Sequence, residues 1–332
     1  MDEFSLIGAY FKRAISPSKT PQIDLGVGDD AALFRVADGY QCVVSSDLLI
    51  EGRHFFADVS PRTLGHKSLA VNLSDLAAMG AQPLGFTLSI GLLRVDTEWL
   101  SEFSNGLFAL ADEFNCPLIG GDTTQSDNVV INITIFGQVP TGQALVRSGA
   151  QVGDDVWVTG TLGDAAYALN LMQKSPAHGD LAQIRARLET PTPRVAFGCA
   201  VRETGLVHSM LDVSDGLAGD LLHILRASNV SAQIDCDALP LSSVVSKLPV
   251  AQAWQYAVAG GDDYELCFTA SATSEARVAL LDLAQKFTIP ITRVGTITPI
   301  NRAAQIAWHS ERAPNVAQQL AHSTGFNHFM LR

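Results

Sequence analysis

Four clusters of glycine and aspartate, each set in an apolar run, constrain this chain more than any other feature. They read "IDLGVGDDAALF" at 23–34, "IGGDTT" at 119–124, "LDVSDG" at 211–216 and "AGGDDYE" at 259–265. Adjacent carboxylates repel, and glycine leaves the backbone without a preferred shape. Such clusters are expected where strands run into loops. The segments between them agree. "QCVVSSDLLI" reads as a strand running into a loop. "SPRTLGHKSLAVNLSDLAAMG" reads as a helix with Ser60 at its N-cap, Pro61 in its first turn and Gly80 at its stop. "TEWLSEFSNGLFALADEFN" carries Leu100, Phe103, Leu107, Leu110, Ala111 and Phe114 at helical spacing, and "VVINITIFGQV" alternates as a half-buried strand does. After the turn-rich stretch "PTGQALVRSGAQVGDD" the pattern restarts with the strand "VWVTG" and the helix "AAYALNLMQ". The strand-loop-helix "SMLDVSDGLAGDLLHILRAS", the helix "RVALLDLAQKF" and the strand "ITRVGTIT" follow. This alternation predicts an α/β or α+β architecture, and the length of 332 residues favours two domains, 1–149 and 150–332. The first residues, "MDEFSLIGAYFKRA", predict an amphipathic helix with Phe4, Ile7, Tyr10 and Phe11 on one side, and lack the pattern of a signal peptide.

Composition narrows the partners. No segment approaches 18 uncharged apolar residues, which argues against a membrane span. A net charge of −12 disfavours nucleic acid, whose binding relies on Lys and Arg at phosphates. A small phosphorylated ligand remains possible, but its charge would need cations brought in from outside. The five cysteines, Cys42, Cys116, Cys199, Cys236 and Cys267, are scattered and form no CxxC. That pattern argues against a disulfide framework or a zinc site and for a reducing, cytoplasmic setting.

Familiar phosphate motifs fail. "GVGDDA" matches G-x-G-x-x-A, with Asp47 or Glu51 about twenty residues on. A pyrophosphate there would meet two carboxylates where only backbone N–H groups should stand. There is no P-loop and no G-x-S-x-G, and "DVSDG" lacks the acid spacing of an EF-hand. What remains is a set of aspartates. Asp30, Asp47, Asp122, Asp212 and Asp215 are expected at strand ends and loop starts, and Asp75 on a helix face shared with Ser68, Asn72 and Met79. Any one alone can be a turn or cap residue. Together, standing beside Gly and Ser rather than Lys or Arg, they suit a hard cation. Mg2+ takes oxygen ligands, keeps waters and is shared between carboxylates and phosphates. Backbone N–H groups freed by the neighbouring glycines can approach the same phosphates. Arg147 in "LVRSGA" is either a forked phosphate donor or a surface arginine, and His54 beside Phe55 and Phe56 is either a packed ring or a site residue.

In this order "GVGDDAA", "SSDLLIEGRHF", "NLSDLAAMGAQP", "IGGDTT", "VRSGA", "DVSDGL", "GGDDYEL" and "GFNHF" resemble the thiamine-monophosphate kinases, relatives of aminoimidazole ribonucleotide synthetase and selenophosphate synthetase. The resemblance runs from about residue 5 to 329. "EGRHF", "GGDDYEL" and "GFNHF" together point to the kinase. The resemblance implies transfer of the ATP γ-phosphate to thiamine monophosphate. It also implies a two-domain aminoimidazole ribonucleotide synthetase-like fold whose N-terminal sheets pair into a barrel across a homodimer. It implies a shell for several Mg2+ ions at Asp30, Ser45, Ser46, Asp47, Asp75, Asp122, Asp212 and Asp215, of which Asp47, Asp122 and Asp215 are read as catalytic. Gly121, Asp122, Arg147 and Ser214 become nucleotide contacts, and His54, Asp262 and Phe326 substrate contacts. This chain departs from the family at Asp262, where Glu is usual, at Phe326, where Trp or Tyr is common, and at Asn327, where Asp is common. Whether Asp262 or its neighbour Asp263 meets substrate is open at this level. The rival readings are a sister ATP-dependent synthetase with another acceptor and a non-catalytic nucleotide- or metal-binding regulator. Selenophosphate synthetase is disfavoured because no Cys precedes the first Gly-Asp cluster.

Overall fold

The computed structural model describes residues 2–174, 181–323 and 325. The chain forms two compact units, Met1–Leu76 with Ala81–Ala144, and Ala77–Gly80 with Leu145–Arg332.

The first unit contains α1 (Glu3–Tyr10), β1 (Ile23–Leu25), β2 (Leu33–Phe34), β3 (Tyr40–Ile50), most of α2 (Pro61–Ala78), β4 (Gln82–Leu92), α3 (Thr97–Glu113), β5 (Leu118–Gln125) and β6 (Val130–Pro140). Four strands form one sheet in the order β3-β6-β4-β5, with only β4 and β5 parallel. The alternation of β6 decides its two faces. Ile131, Ile133 and Ile135 are buried. Leu49, Asp47 and Ser45 lie directly opposite them and share their face. Leu76 of α2 lies against Gly137, two residues further along the same face, so α2 covers it. The other face is open. One row across all four strands reads Leu48, Asn132, Ser89 and Asp122.

Three expectations change here. β3 does not give way to a loop; it continues to Ile50, held by eleven consecutive residue pairs with β6. Asp47 therefore sits inside a strand rather than at its end, and Asp122 likewise sits inside β5 through its pairing with β4, because ladder pairing overrides the weak strand preference of "SSD" and "GGD". In α1 the buried side chains are Leu6 and the C-cap Phe11, while Phe4 is 83% exposed. Docking against α3 and β5 selects that face. α2 ends at Ala78, which leaves Met79 just beyond the helix face that Ser68, Asn72 and Asp75 share.

The second unit contains β7 (Asp155–Thr159), α4 (Asp164–Lys174), α5 (Leu181–Glu189), α6 (Val195–Thr204), β8 (Val207–Val213), α7 (Leu217–Ser228), β9 (Ser231–Asp235), α8 (Val250–Ala259), β10 (Glu265–Ala270), α9 (Ser274–Lys286), β11 (Ile291–Thr298), β12 (Ile306–His309) and α10 (Pro314–Gln319). Its six-stranded sheet has the order β12-β9-β11-β7-β10-β8, with only β12 and β9 parallel. Val156, Val158, Leu211, Val213, Leu217, Leu221, Ile224 and Trp254 belong to one core. β8 and β10 run antiparallel, with Val213 opposite Glu265 and Asp212 opposite Leu266. This pairing brings the middle of "LDVSDG" beside the end of "GGDDYE".

Candidate functional site

In the first unit the helix-covered face of the sheet gathers Ser45, Asp47 and Asp75. The Ser45 hydroxyl donates to an Asp75 carboxylate oxygen. Burial, and then the negative charge of Asp75, push the Asp47 acid up to about 7. One turn before Asp75, Asn72 is fully buried; its Nδ2 donates to the Ser68 carbonyl at 3.1 Å, and its Oδ1 has no hydrogen bond. Residues three apart share a helix face. Two crowded carboxylates and a buried amide oxygen without a donor are the oxygen-rich set a hard cation takes.

Ser46 points to the opposite, open face. Its hydroxyl meets Thr134 Oγ1 at 3.0 Å, and Asn132 Nδ2 donates to it at 3.0 Å and to the Asp47 carbonyl at 2.9 Å. Asp122 is on this face too, exposed, with Oδ1 accepting the Thr123 N–H at 3.0 Å. Beside it opens a cavity of about 260 Å³ lined by Ser89, Ile90, Thr124, Val130 and Asn132 among others. Gly121 belongs to the helix-side row and has φ +152°. A Cβ there would stand 1.9 Å from the Leu88 carbonyl oxygen of β4, so only glycine lets β5 lie this close. Asp30 is exposed in the turn between β1 and β2, where Asp29 Oδ1 accepts its N–H at 2.9 Å. His54 closes a tight turn. Its Nδ1 accepts the Ile50 N–H at 3.0 Å, which leaves the ring proton of the neutral form on Nε2.

In the second unit Asp212 is buried near the end of β8, and Ser214 and Asp215 form the half-buried loop before α7. Asp220, in the first turn of α7, is buried and accepts the Asp215 N–H at 3.0 Å. Burial pushes its acid up to about 7, and the nearby Asp215 charge adds to that while Arg147 opposes it. The same Arg147, after burial, holds the His223 ring below its ordinary value. Arg147 is thus an exposed guanidinium beside Asp215, Asp220 and His223, with its carbonyl bound by the Ser228 hydroxyl at 3.2 Å.

The three acids of "GGDDYE" divide into three situations. Asp263 is 2% exposed and takes the Gly163 N–H on both carboxylate oxygens, at 3.0 and 2.9 Å. Its carboxylate is committed inside the fold. Glu265 is fully buried and is held by Arg187 at 2.6 Å, by Arg194 at 2.8 and 2.6 Å and by Thr159 at 2.7 Å. Burial alone would raise its acid; the two arginines and Thr159 outweigh burial and hold it below the usual range. Asp262 is half-buried, with φ +69°. Phe326 and Asn327 lie outside the described residues.

Sequence reasoning missed Asp220, Glu265 and Asn132. The signal for Asp220 was present: an acid in the first turn of the helix that follows "SDG" reaches back to loop N–H groups. Nothing local marks Glu265, whose partners lie 71 to 106 residues away. The sequence set of eight metal-shell residues is spread over both units, and among the described residues no group of three or more His, Cys, Asp or Glu stands assembled as a metal cluster.

Comparison with known proteins decides what these pieces belong to. Residues 28–139 match the AIR synthase related protein N-terminal domain, and residues 151–304 match the corresponding C-terminal domain. The thiamine-monophosphate kinase of Haemophilus influenzae is 40% identical over 332 residues, covering 99% of this chain and 98% of that protein. The chain belongs to the thiamine-monophosphate kinase family. The crystal structure of thiamine-monophosphate kinase from Stenotrophomonas maltophilia is 44% identical, with a TM-score of 0.82 over 92% of this chain and 96% of that one. A solved structure of AaThiL complexed with AMPPCP and TMP is 26% identical, with a TM-score of 0.74 over 98% and 97% of the two chains. Membership in this family fixes the two-domain α/β fold. No helix among the described residues is long and apolar enough to cross a membrane.

Proposed function

We propose that this protein transfers the γ-phosphate of ATP to thiamine monophosphate, giving thiamine diphosphate and ADP. The observation that carries this reading is the 40% identity, over nearly the full length of both chains, to a thiamine-monophosphate kinase, supported by a relative of the same fold bound to an ATP analogue and TMP. The acceptor is a phosphomonoester with a second pKa near 6, so at neutral pH its oxygen is mostly an anion and needs no general base. That oxygen forms the new bond to the γ-phosphorus. The bond from the γ-phosphorus to the β,γ-bridging oxygen breaks, and ADP leaves with the electron pair. The barrier is repulsion between two anions, so the protein's work is positioning and charge neutralisation.

Mg2+ fits the residues present. Asp47, Asp75 and Ser45 would hold it in the first unit, with Ser46, Asp122 and Asp30 in further contacts and Asp212 and Asp215 serving from the second unit. When bound, Mg2+ supplies the positive charge that lets two phosphates approach. In the chain itself, Arg147 offers a forked donor set to a phosphate. Gly121 and Ser214 present polar backbone and hydroxyl groups to the nucleotide. Asp262 would face the thiazolium cation, His54 would orient the substrate, and Phe326 would stack on a substrate ring. Asp47, Asp122 and Asp215 are the carboxylates assigned to the reacting phosphates.

The two domains are proposed as 1–149 and 150–332, the first also carrying dimerisation. Support for a dimer comes from β3, an eleven-residue edge strand with Tyr40, Val44 and Leu48 exposed at 41%, 56% and 48%. Long apolar edges of this kind are seldom left open. Pairing of two such sheets into a barrel would also cover the open face. Five cysteines without a disulfide support a reducing, cytoplasmic setting. The test of the reaction is acceptor-dependent formation of ADP and thiamine diphosphate. A binding protein gives neither, and a sister synthetase needs another acceptor.

A further inference from the structure

We propose that Asp263 is a positioning residue that pins the loop bearing Asp262 to the turn opening α4, and so holds in place the backbone bonds that join this loop to the one bearing Ser214 and Asp215. The inference rests on the reading above, in which Asp262 meets the acceptor and Ser214 the nucleotide. Both loops are in the second unit. The Asp262 N–H donates to the Ser214 carbonyl and the Tyr264 N–H to the Val213 carbonyl, each at 2.8 Å. A Cβ on Gly261 would stand 2.5 Å from the Ser214 carbonyl oxygen, so the two backbones touch there.

Asp262 and Tyr264 flank Asp263 in the left-handed region, with φ +69° and +50°. Such a conformation costs free energy for residues other than glycine, most of all for a bulky one, and persists only where its surroundings impose it. Two anchors impose it here. Asp263 grips the Gly163 N–H from inside, at the turn that opens α4. Glu265, two residues on, is pinned by Arg187 and Arg194. The backbone between the anchors has no freedom to turn Asp262 elsewhere. Burial holds the Asp263 acid well above the ordinary carboxylate range, against the Gly163 N–H. A neutral group of the same shape should therefore serve in its place.

Residue-resolved hydrogen exchange on the ligand-free, full-length protein tests the lock without any substitution. The amides of Gly163, Asp262 and Tyr264 are expected to share one opening event, with protection factors within about threefold. A difference of about tenfold or more between Gly163 and Asp262 would overturn the proposal. Asp263→Ala is expected to speed exchange at Asp262 and Tyr264 by about tenfold while Val158 in β7 stays protected. It should also raise KM for thiamine monophosphate more than it lowers kcat, and Asp263→Asn should restore both to within about threefold. Wild-type exchange in Asp263→Ala, or an equal defect in Asp263→Asn, contradicts the lock. If Asp263→Ala does not fold, the wild-type comparison still decides. If the wild-type protein makes no thiamine diphosphate, the functional reading fails while the exchange result still judges the lock.

Discussion

Asp47 on β3 and Asp75 on α2 share one face of the N-terminal sheet, where burial and the Asp75 charge oppose the ionisation of Asp47. The conflict sets a direction for stability against pH. The folded protein keeps the Asp47 proton up to about pH 7, whereas an unfolded carboxyl releases it near 3.9. The native state binds the extra proton between these values. Its contribution to stability is therefore full below about pH 4 and is lost as pH rises through 7, by up to about 4 kcal/mol. Asp220, also pushed up to about 7, adds in the same sense. Thermal unfolding in EDTA from pH 4 to 8 should show the decline, and Asp47→Asn should lessen it, leaving the share of Asp220, and raise Tm at pH 7.5.

The same substitution should stabilise the fold and remove the function. Asp47→Asn or Asp122→Asn is expected to lower turnover by about 100-fold or more, with an unchanged far-UV spectrum. Losses of that size follow when the carboxylates that would hold the charge-neutralising Mg2+ at a transferring phosphoryl are removed. ADP release at saturating ATP is the readout; unchanged activity in either variant contradicts the metal assignment.

Glu265 calls for the opposite outcome. It is fully buried between Arg187 and Arg194. Glu265→Ala leaves two guanidinium groups without their counter-charge and should cost roughly 3–5 kcal/mol. Urea unfolding measures this directly. A shift of the midpoint too small to correspond to about 1 kcal/mol would mean that the arginines find other partners.

Much of the fold is legible in the sequence because it is written in local periodicity. Leu100, Phe103, Leu107 and Leu110 recur at helical spacing and are all buried in α3. Ile131, Ile133 and Ile135 alternate and form one face of β6. The fate of β3 was not legible, because nothing local in "SSDLLI" shows that β6 pairs with it to the end. The acids of "GGDDYE" look alike in sequence. Their separation into a half-buried group, a backbone anchor and an ion-paired centre depends on Gly163, Arg187 and Arg194, which lie far away along the chain. The location of Asp47 and Asp122 on opposite faces is likewise a consequence of register, which a shift of one residue would reverse.

The exposed edge of β3 makes a separate expectation. Val44→Asp with Leu48→Asp sets charges on the open face of the N-terminal sheet, away from Asp47. Light scattering after size exclusion should give a dimer for the unaltered chain and a monomer for the double variant. A monomeric parent protein at micromolar concentration would contradict the barrel.

The central claim is tested most directly by following ADP and thiamine diphosphate together, from ATP and thiamine monophosphate, with Mg2+ and with EDTA. Equal amounts of both products with Mg2+, and neither with EDTA, is the predicted result. Folded protein that forms no thiamine diphosphate under either condition would contradict the account.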